Sequence, residues 1–320
     1  MKAREATSPP ARWTEHRERG SLVWLRAMRN VAIALGRPGA RLLLHPIALY
    51  FVLAAGAARR ESRRYLARAL GRRPTALDVY RHFHAFASTV LDRVYLLQER
   101  FEQFDVHATG IRTILDPFER GDGALLFGAH VGSFEALRAI GHEHGLRVAM
   151  VMYEDNARLI NETLAALAPD ASLHTIGLGK VDAMIALKRW LDDGGVAGLL
   201  ADRTLPVQSA RSRNVRVPFL GSPATFSDGP FRLAAMLRRP VVFMAGIYRG
   251  GRAYELRFAQ IADFSATPPA ERDAAIRAGL ERYVATLEAL CREAPYNWFN
   301  FFDFWAFDET AAEPASDAAG

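Results

Sequence analysis

A chain of 320 residues, half of them hydrophobic and 24% charged, buries a sizeable core, which excludes a protein that is mostly disordered. Its single cysteine, Cys291, excludes an intrachain disulfide framework and a cysteine-based zinc site, and fits a reducing compartment. The net charge of +6 is uneven: residues 1–73 carry 16 Lys and Arg against 4 Asp and Glu, a net of +12, and the remainder carries −6.

Residues 1–20 are polar, contain Pro9-Pro10 and read as a disordered basic tail; residues 309–320 read as a second disordered tail. Residues 42–58, LLLHPIALYFVLAAGAA, form a run of 17 without a formal charge, bounded by Arg41 and by Arg59, Arg60, Arg63 and Arg64. A span needs about 20 apolar residues, and Pro46 reads as the opening of the helix, which shortens it further. The run therefore predicts a half-inserted or interfacial helix. A buried helix of a soluble core is the alternative. The run starts too late for a cleavable signal peptide. An apolar segment beside so basic a region favours anionic membrane lipids over nucleic acid as the partner.

From residue 59 to 104 apolar residues recur at three and four: Tyr65, Leu66, Ala69 and Leu70, then Tyr80, Phe83, Phe86, Val90, Val94 and Leu97, with Gly71 and Pro74 between two helices. Beyond Phe104 short apolar runs alternate with amphipathic stretches. Strands are predicted over 124–127, 147–152, 174–176, 196–200, 215–219, 241–248 and 254–258. Helices are predicted over 134–144, 156–167, 181–191, 227–237 and 271–291. The alternation predicts an α/β domain over 106–308, a mixed, largely parallel sheet flanked by helices. It follows an N-terminal helical, membrane-associated region over 21–105.

The segment GDGALLFGAHVGSFEAL, residues 121–137, carries the clearest chemistry. A buried strand runs into His130, and Gly132 and Ser133 precede a helix for which Ser133 is a suitable N-cap. Within one helix His130 and Glu135 would point about 140° apart, so they meet only if the chain turns at Gly132. A carboxylate on one imidazole nitrogen fixes the tautomer and frees the other to take a proton from a hydroxyl or amine. The alternative is a structural hydrogen-bonded pair. The helix N-terminus near Gly132 and Ser133 offers backbone donors for an oxyanion. His142 and His144 suggest a metal, but no third ligand is evident, so no metal is expected. TIGLGK, residues 175–180, lacks the P-loop pattern. The aromatic run from Tyr296 to Trp305 reads as core, with an acyl channel or a membrane interface as the alternative.

The His130–Glu135 segment resembles the first motif of the lysophospholipid acyltransferase superfamily. The wider sequence resembles the bacterial lipid A late acyltransferases (lauroyl/myristoyl transferases). The basic stretch ARRESRRYLARAL, the helix FHAFASTVLDRVYLL and the block GLLADRTLPVQSARSRNVRVPFLGSPATFSDGPFRLA carry that similarity over roughly residues 40–260. The resemblance implies His130 as general base with Glu135 orienting it. It implies Asp202 on the floor of the active site, with Arg203 where a glutamine is usual. It implies Phe219, Gly221 and Pro223 in a turn near the substrate. The family's additional arginine has no clear counterpart here, Arg158 being a weak one. The C-terminal APYNWFNFFDFW departs from the usual lipid A enzymes, which implies a divergent branch.

The implied activity is transfer of a fatty acyl group from a thioester, on acyl-carrier protein or coenzyme A, to a hydroxyl of a lipid or glycolipid. No cofactor beyond the donor is expected, and the implied place is the cytoplasmic face of the bacterial inner membrane. A non-catalytic lipid-binding or scaffold protein with the same fold is the rival reading, and the His130/Glu135 pair speaks against it. A glycosyltransferase is a third reading, but the sequence lacks the paired acidic metal site such enzymes often use.

Overall fold

The computed structural model describes residues 18–153, 174–179, 181–204 and 213–306. The predicted helix over 156–167, residues 1–17, the C-terminal tail and most of the polar loop after Asp202 lie outside the described residues, and residues 18–20 of the predicted N-terminal tail belong to the first helix. Three helices come first: α1 (Glu18–Ala54), α2 (Gly56–Leu70) and α3 (Ala76–Leu97). There follow β1 (Asp105–Thr109), α4 (Arg112–Glu119), β2 (Ala124–Gly128), α5 (Leu137–His144), β3 (Val148–Tyr153), β4 (His174–Leu178), α6 (Val181–Asp192) and β5 (Val196–Leu200). The chain closes with β6 (Asn214–Phe219), β7 (Ser222–Ser227), α7 (Gly229–Leu237), β8 (Pro240–Gly250), β9 (Ala253–Asp263) and α8 (Arg272–Glu293).

Seven strands form one sheet in the order β1-β9-β8-β2-β5-β3-β4. Strands β8, β2, β5, β3 and β4 run parallel, and the β8–β9 hairpin brings in an antiparallel edge on which β1 pairs parallel to β9. This is the mixed, largely parallel α/β sheet that the alternation predicts. Strands β2 and β5, at the centre, are apolar at every position because both faces of the sheet are covered there. Leu125 and Phe127 point into one buried cluster with α2, α7 and α8, and Leu126 into the other with α3, α4 and α5.

Two strands escape the sequence pattern. Strand β1, DVHAT, lies at an edge and is half exposed, so its residues do not read as an apolar run. Strand β7 falls in the stretch just before the predicted helix 227–237, which begins only at Gly229. The β6–β7 hairpin turns through Leu220 and Gly221, both with positive φ (52° and 78°). Such a two-residue turn matches strand twist, but leucine is not the residue that announces it.

The N-terminal region departs from the prediction at Pro46, which lies inside α1 rather than opening a helix. The real break is at Gly36, whose φ of 66° interrupts the helix. Pro38 sits just beyond, in the first turn of the second segment, where a missing N–H costs nothing. Among the described residues no single helix is long and apolar enough to cross a membrane; Arg26–Ala54 and Gly56–Leu70 form a pair bent by 96°. The 42–58 run is thus divided by that bend.

The packing of α1 is inverted relative to a soluble helix. Its small residues Ala32, Ala40 and Ala48 are buried, whereas Leu42, Leu49, Tyr50, Phe51 and Leu53 are half or more exposed. What pins α1 is polar. Arg37 makes a bidentate pair with buried Asp92 at 2.8 and 3.0 Å, and Tyr254 donates to the same carboxylate at 2.8 Å.

His82 of α3 is fully buried, with Nδ1 2.9 Å from Ser62 Oγ and Nε2 2.9 Å from the Trp298 carbonyl. Burial pushes its pKa down to about 4 against the opposing pull of that carbonyl. The unfolded chain takes up this proton near pH 6.5 and the folded protein only near 4, so stability falls as pH drops through that window. The expected loss is about 2 kcal/mol between pH 7 and pH 5. Urea unfolding at the two pH values checks it: His82→Gln should flatten that slope, and an unchanged slope would remove His82 as its source.

Candidate active site

Strands β2 and β5 are parallel neighbours, with Gly128 opposite Leu200 at their C-terminal ends. Two residues beyond each partner stand His130 and Asp202, and the Ala201 N–H donates to the Gly128 carbonyl at 3.0 Å, extending the pairing outward. The crevice outside the carboxyl ends of parallel strands is where open α/β sheets bind ligands. His130 Nδ1 lies 2.8 Å from Asp202 Oδ1, and the His130 backbone N–H donates to Oδ2 at 3.0 Å. Asp202 is fully buried and also accepts from Trp298 Nε1 at 3.0 Å and Asn300 Nδ2 at 3.3 Å. Burial alone would raise the Asp202 carboxyl. The His130 ring and N–H, together with the Arg203 charge, outweigh it and hold the group well below the usual carboxylate range. A buried anion facing Nδ1 fixes the proton there and leaves Nε2 as the basic nitrogen. The His130 side chain is 27% exposed, whereas that of Asp202 is fully covered.

The partner of His130 is therefore not the one the motif suggests. Glu135 is buried and accepts from Ser133 Oγ at 2.9 Å, and its other oxygen lies 2.6 Å from Arg93 Nε of α3. The Ser133 hydroxyl is spent on Glu135 and does not cap the short 3₁₀ turn Phe134–Ala136 that leads into α5. In this geometry the carboxylate in contact with the His130 ring is that of Asp202.

The oxyanion donors expected at Gly132 and Ser133 are also occupied. The Gly132 N–H donates to the Asn297 carbonyl at 2.9 Å and the Ser133 N–H to the Gly246 carbonyl at 2.8 Å. The loop crosses β8 so closely that a Cβ on Gly132 would lie 1.8 Å from the Gly246 oxygen, and φ there is +57°. Glycine is required at this turn for space and for conformation alike.

Phe219, expected near the substrate, is fully buried. Its ring packs edge-on against Trp298, centroids 5.4 Å apart, and through that indole it supports the floor under Asp202. Gly221 and Pro223 lie at the exposed hairpin end, where the predicted turn does form. Arg203 follows Asp202 and donates from Nε to Asn300 Oδ1 at 2.9 Å, its guanidinium 5.1 Å from the Phe302 ring. Sequence reasoning missed Trp298 and Asn300. The run YNWFNFFDFW was legible as core, and Trp298 and Phe304 are core. The two amide and indole donors within it were the signal left unread.

The fold is thus an α/β sheet with a histidine, paired to a buried aspartate, at the mouth of its parallel strands. The chain belongs to the bacterial lipid A biosynthesis acyltransferase family, whose model matches residues 13–305. Members of that family transfer an acyl group to a lipid acceptor. No curated protein matches the sequence significantly.

Proposed function

We propose that the protein moves a fatty acyl group from a thioester, on acyl-carrier protein or coenzyme A, to a hydroxyl of a lipid or glycolipid. His130 is the general base and Asp202 its orienting carboxylate. The observation that carries the reading is the 2.8 Å contact between His130 Nδ1 and buried Asp202 in a member of this family. Nε2 takes the hydroxyl proton as the oxygen attacks the thioester carbonyl. The tetrahedral intermediate collapses with cleavage of the C–S bond, and the imidazolium returns the proton to the departing thiolate. Asp202 stabilises the imidazolium between those steps.

The Gly132 and Ser133 N–H groups being occupied, we assign the oxyanion to the Arg203 guanidinium, which stands next to Asp202. Gly132 and Ser133 instead hold the loop that carries His130. Exposed Leu200 and Phe302 flank Asp202 and Arg203 and offer apolar support to an acyl chain. The apolar outer face of α1 and the arginines of α2 support a peripheral or monotopic enzyme on the cytoplasmic face of the inner membrane. The test is incubation with membranes and a labelled acyl thioester, on carrier protein and on coenzyme A separately, with the acylated lipid identified by mass. Label should enter one lipid species from at least one donor. No transfer from either donor would overturn the reading.

A further inference from the structure

A cavity of about 380 Å³ lies between the second half of α1, α3 and the β8–β9 turn, away from His130. Its walls include Arg37, Arg41, His45, His84 and Arg252, with Pro38 and Leu42 supplying apolar surface. The charges are not fully balanced from within. Arg37 is paired with Asp92 and also donates to the Gly251 carbonyl at 2.7 Å. Arg252 lies 3.4 Å from Asp105 and donates to the Glu102 carbonyl. Arg41 donates to the Tyr248 hydroxyl at 2.6 Å, but its Nη1 is 3.9 Å from Asp92 and has no hydrogen-bond partner. The rings of His45 and His84 stack with centroids 4.7 Å apart; His45 is bonded to Tyr80, whereas His84 has only ring contacts among the described residues.

We propose that this cavity binds the phosphate of an anionic lipid. Arginine and histidine donors converging from separate elements suit phosphate oxygens, and arginine is the side chain best shaped for them. The His84 pKa is lowered by burial and then by His45 and Arg41, the mark of a cationic field that a bound anion would relieve.

The lipid source follows from position. Leu42 lines the cavity and is 71% exposed. From it, Leu49 and Leu53 continue one stripe of α1, since seven and eleven residues on a helix return to within about 20° of the same direction. An interfacial helix sinks such a stripe about 5–10 Å into the headgroup and acyl boundary. The cavity at the end of the stripe then opens at the depth of lipid phosphates, and the chains of the bound lipid leave it beside Leu42. This site does not depend on the acyl-transfer reading.

Titration of the full-length protein with dihexanoyl phosphatidic acid below its micellar concentration, followed by calorimetry, tests the proposal. One molecule should bind per chain. Inorganic phosphate and dihexanoyl phosphatidylcholine should bind at least about tenfold more weakly. Arg41→Gln and His84→Gln should each weaken the phosphatidic acid about tenfold. Arg41 also holds Tyr248, so its variant is checked by thermal melting; His84→Gln breaks only ring contacts and keeps the test sound. Absence of saturable binding, wild-type affinity in a folded His84→Gln, or equal affinity for inorganic phosphate would overturn the proposal. Protein that still floats with anionic vesicles yet fails to bind the monomeric lipid would overturn the cavity while leaving membrane association standing.

Discussion

His130→Ala will lower acyl transfer by about 10²–10⁴, the usual cost of a lost general base, and Asp202→Asn will come close to it. The asparagine keeps the size and one acceptor, but it is neutral. It cannot stabilise the imidazolium, and its amide competes for the tautomer in which Nε2 is basic. Four donors converge on the Asp202 carboxylate: the His130 ring and N–H, Trp298 Nε1 and Asn300 Nδ2. An amide nitrogen in place of one oxygen meets donors, so the loss carries a structural component as well. The kinetic signature separates the two. If Asp202 acts through the imidazole, the pH dependence of turnover shifts in Asp202→Asn that retains its fold by melting. Unchanged turnover in folded His130→Ala would remove the assignment altogether.

Glu135→Gln gives the contrast. Glu135 is bonded to Ser133 and faces Arg93, which ties the loop after His130 to α3. Its amide should keep the Ser133 bond and weaken the ion pair, with a smaller loss of turnover than Asp202→Asn and no shift in the pH profile. A larger loss in Glu135→Gln than in Asp202→Asn would return the orienting role to Glu135.

These two carboxylates show where sequence stops being legible. The strands ending at Gly128 and Leu200 read clearly as short apolar runs, since a strand covered on both faces is apolar throughout. Sequence distance then favours Glu135, five residues from His130, over Asp202, which is 72 residues away. Only the sheet order, with β5 beside β2, puts Asp202 opposite His130. The turn at Gly132 was legible from its type. Its cause, the close crossing of β8 at Gly246, joins residues more than a hundred positions apart. The N-terminal run shows the same limit. Its apolar, uncharged composition was plain, but Pro46 looked like a helix start because local rules place proline in a first turn. The actual break at Gly36 depends on how α1 turns to bring Arg37 onto Asp92.

Replacing Leu49 and Leu53 together with Asp should weaken binding to vesicles by about 30- to 1000-fold and make what remains sensitive to salt. The two leucines are 51% and 66% exposed. Burying a leucine fully is worth about 1.5–3 kcal/mol, so the exposed parts of this pair hold about 2–4 kcal/mol, which converts to that range. Salt does not screen this apolar contribution. The arginines of α2 act differently: each basic residue close to an anionic surface contributes about 1 kcal/mol, and screening removes it. Changing Arg59, Arg60, Arg63 and Arg64 to Gln should therefore lower the preference for anionic over neutral vesicles while binding to neutral ones persists. Arg64 is the weakest of the four for this purpose, because it is already paired with Asp303 at 2.7 Å. Co-sedimentation with neutral and anionic liposomes across a salt series reads both effects. If high salt releases the unmodified protein completely, the outward leucines of α1 do not enter the bilayer and charge alone brings the enzyme to its lipid.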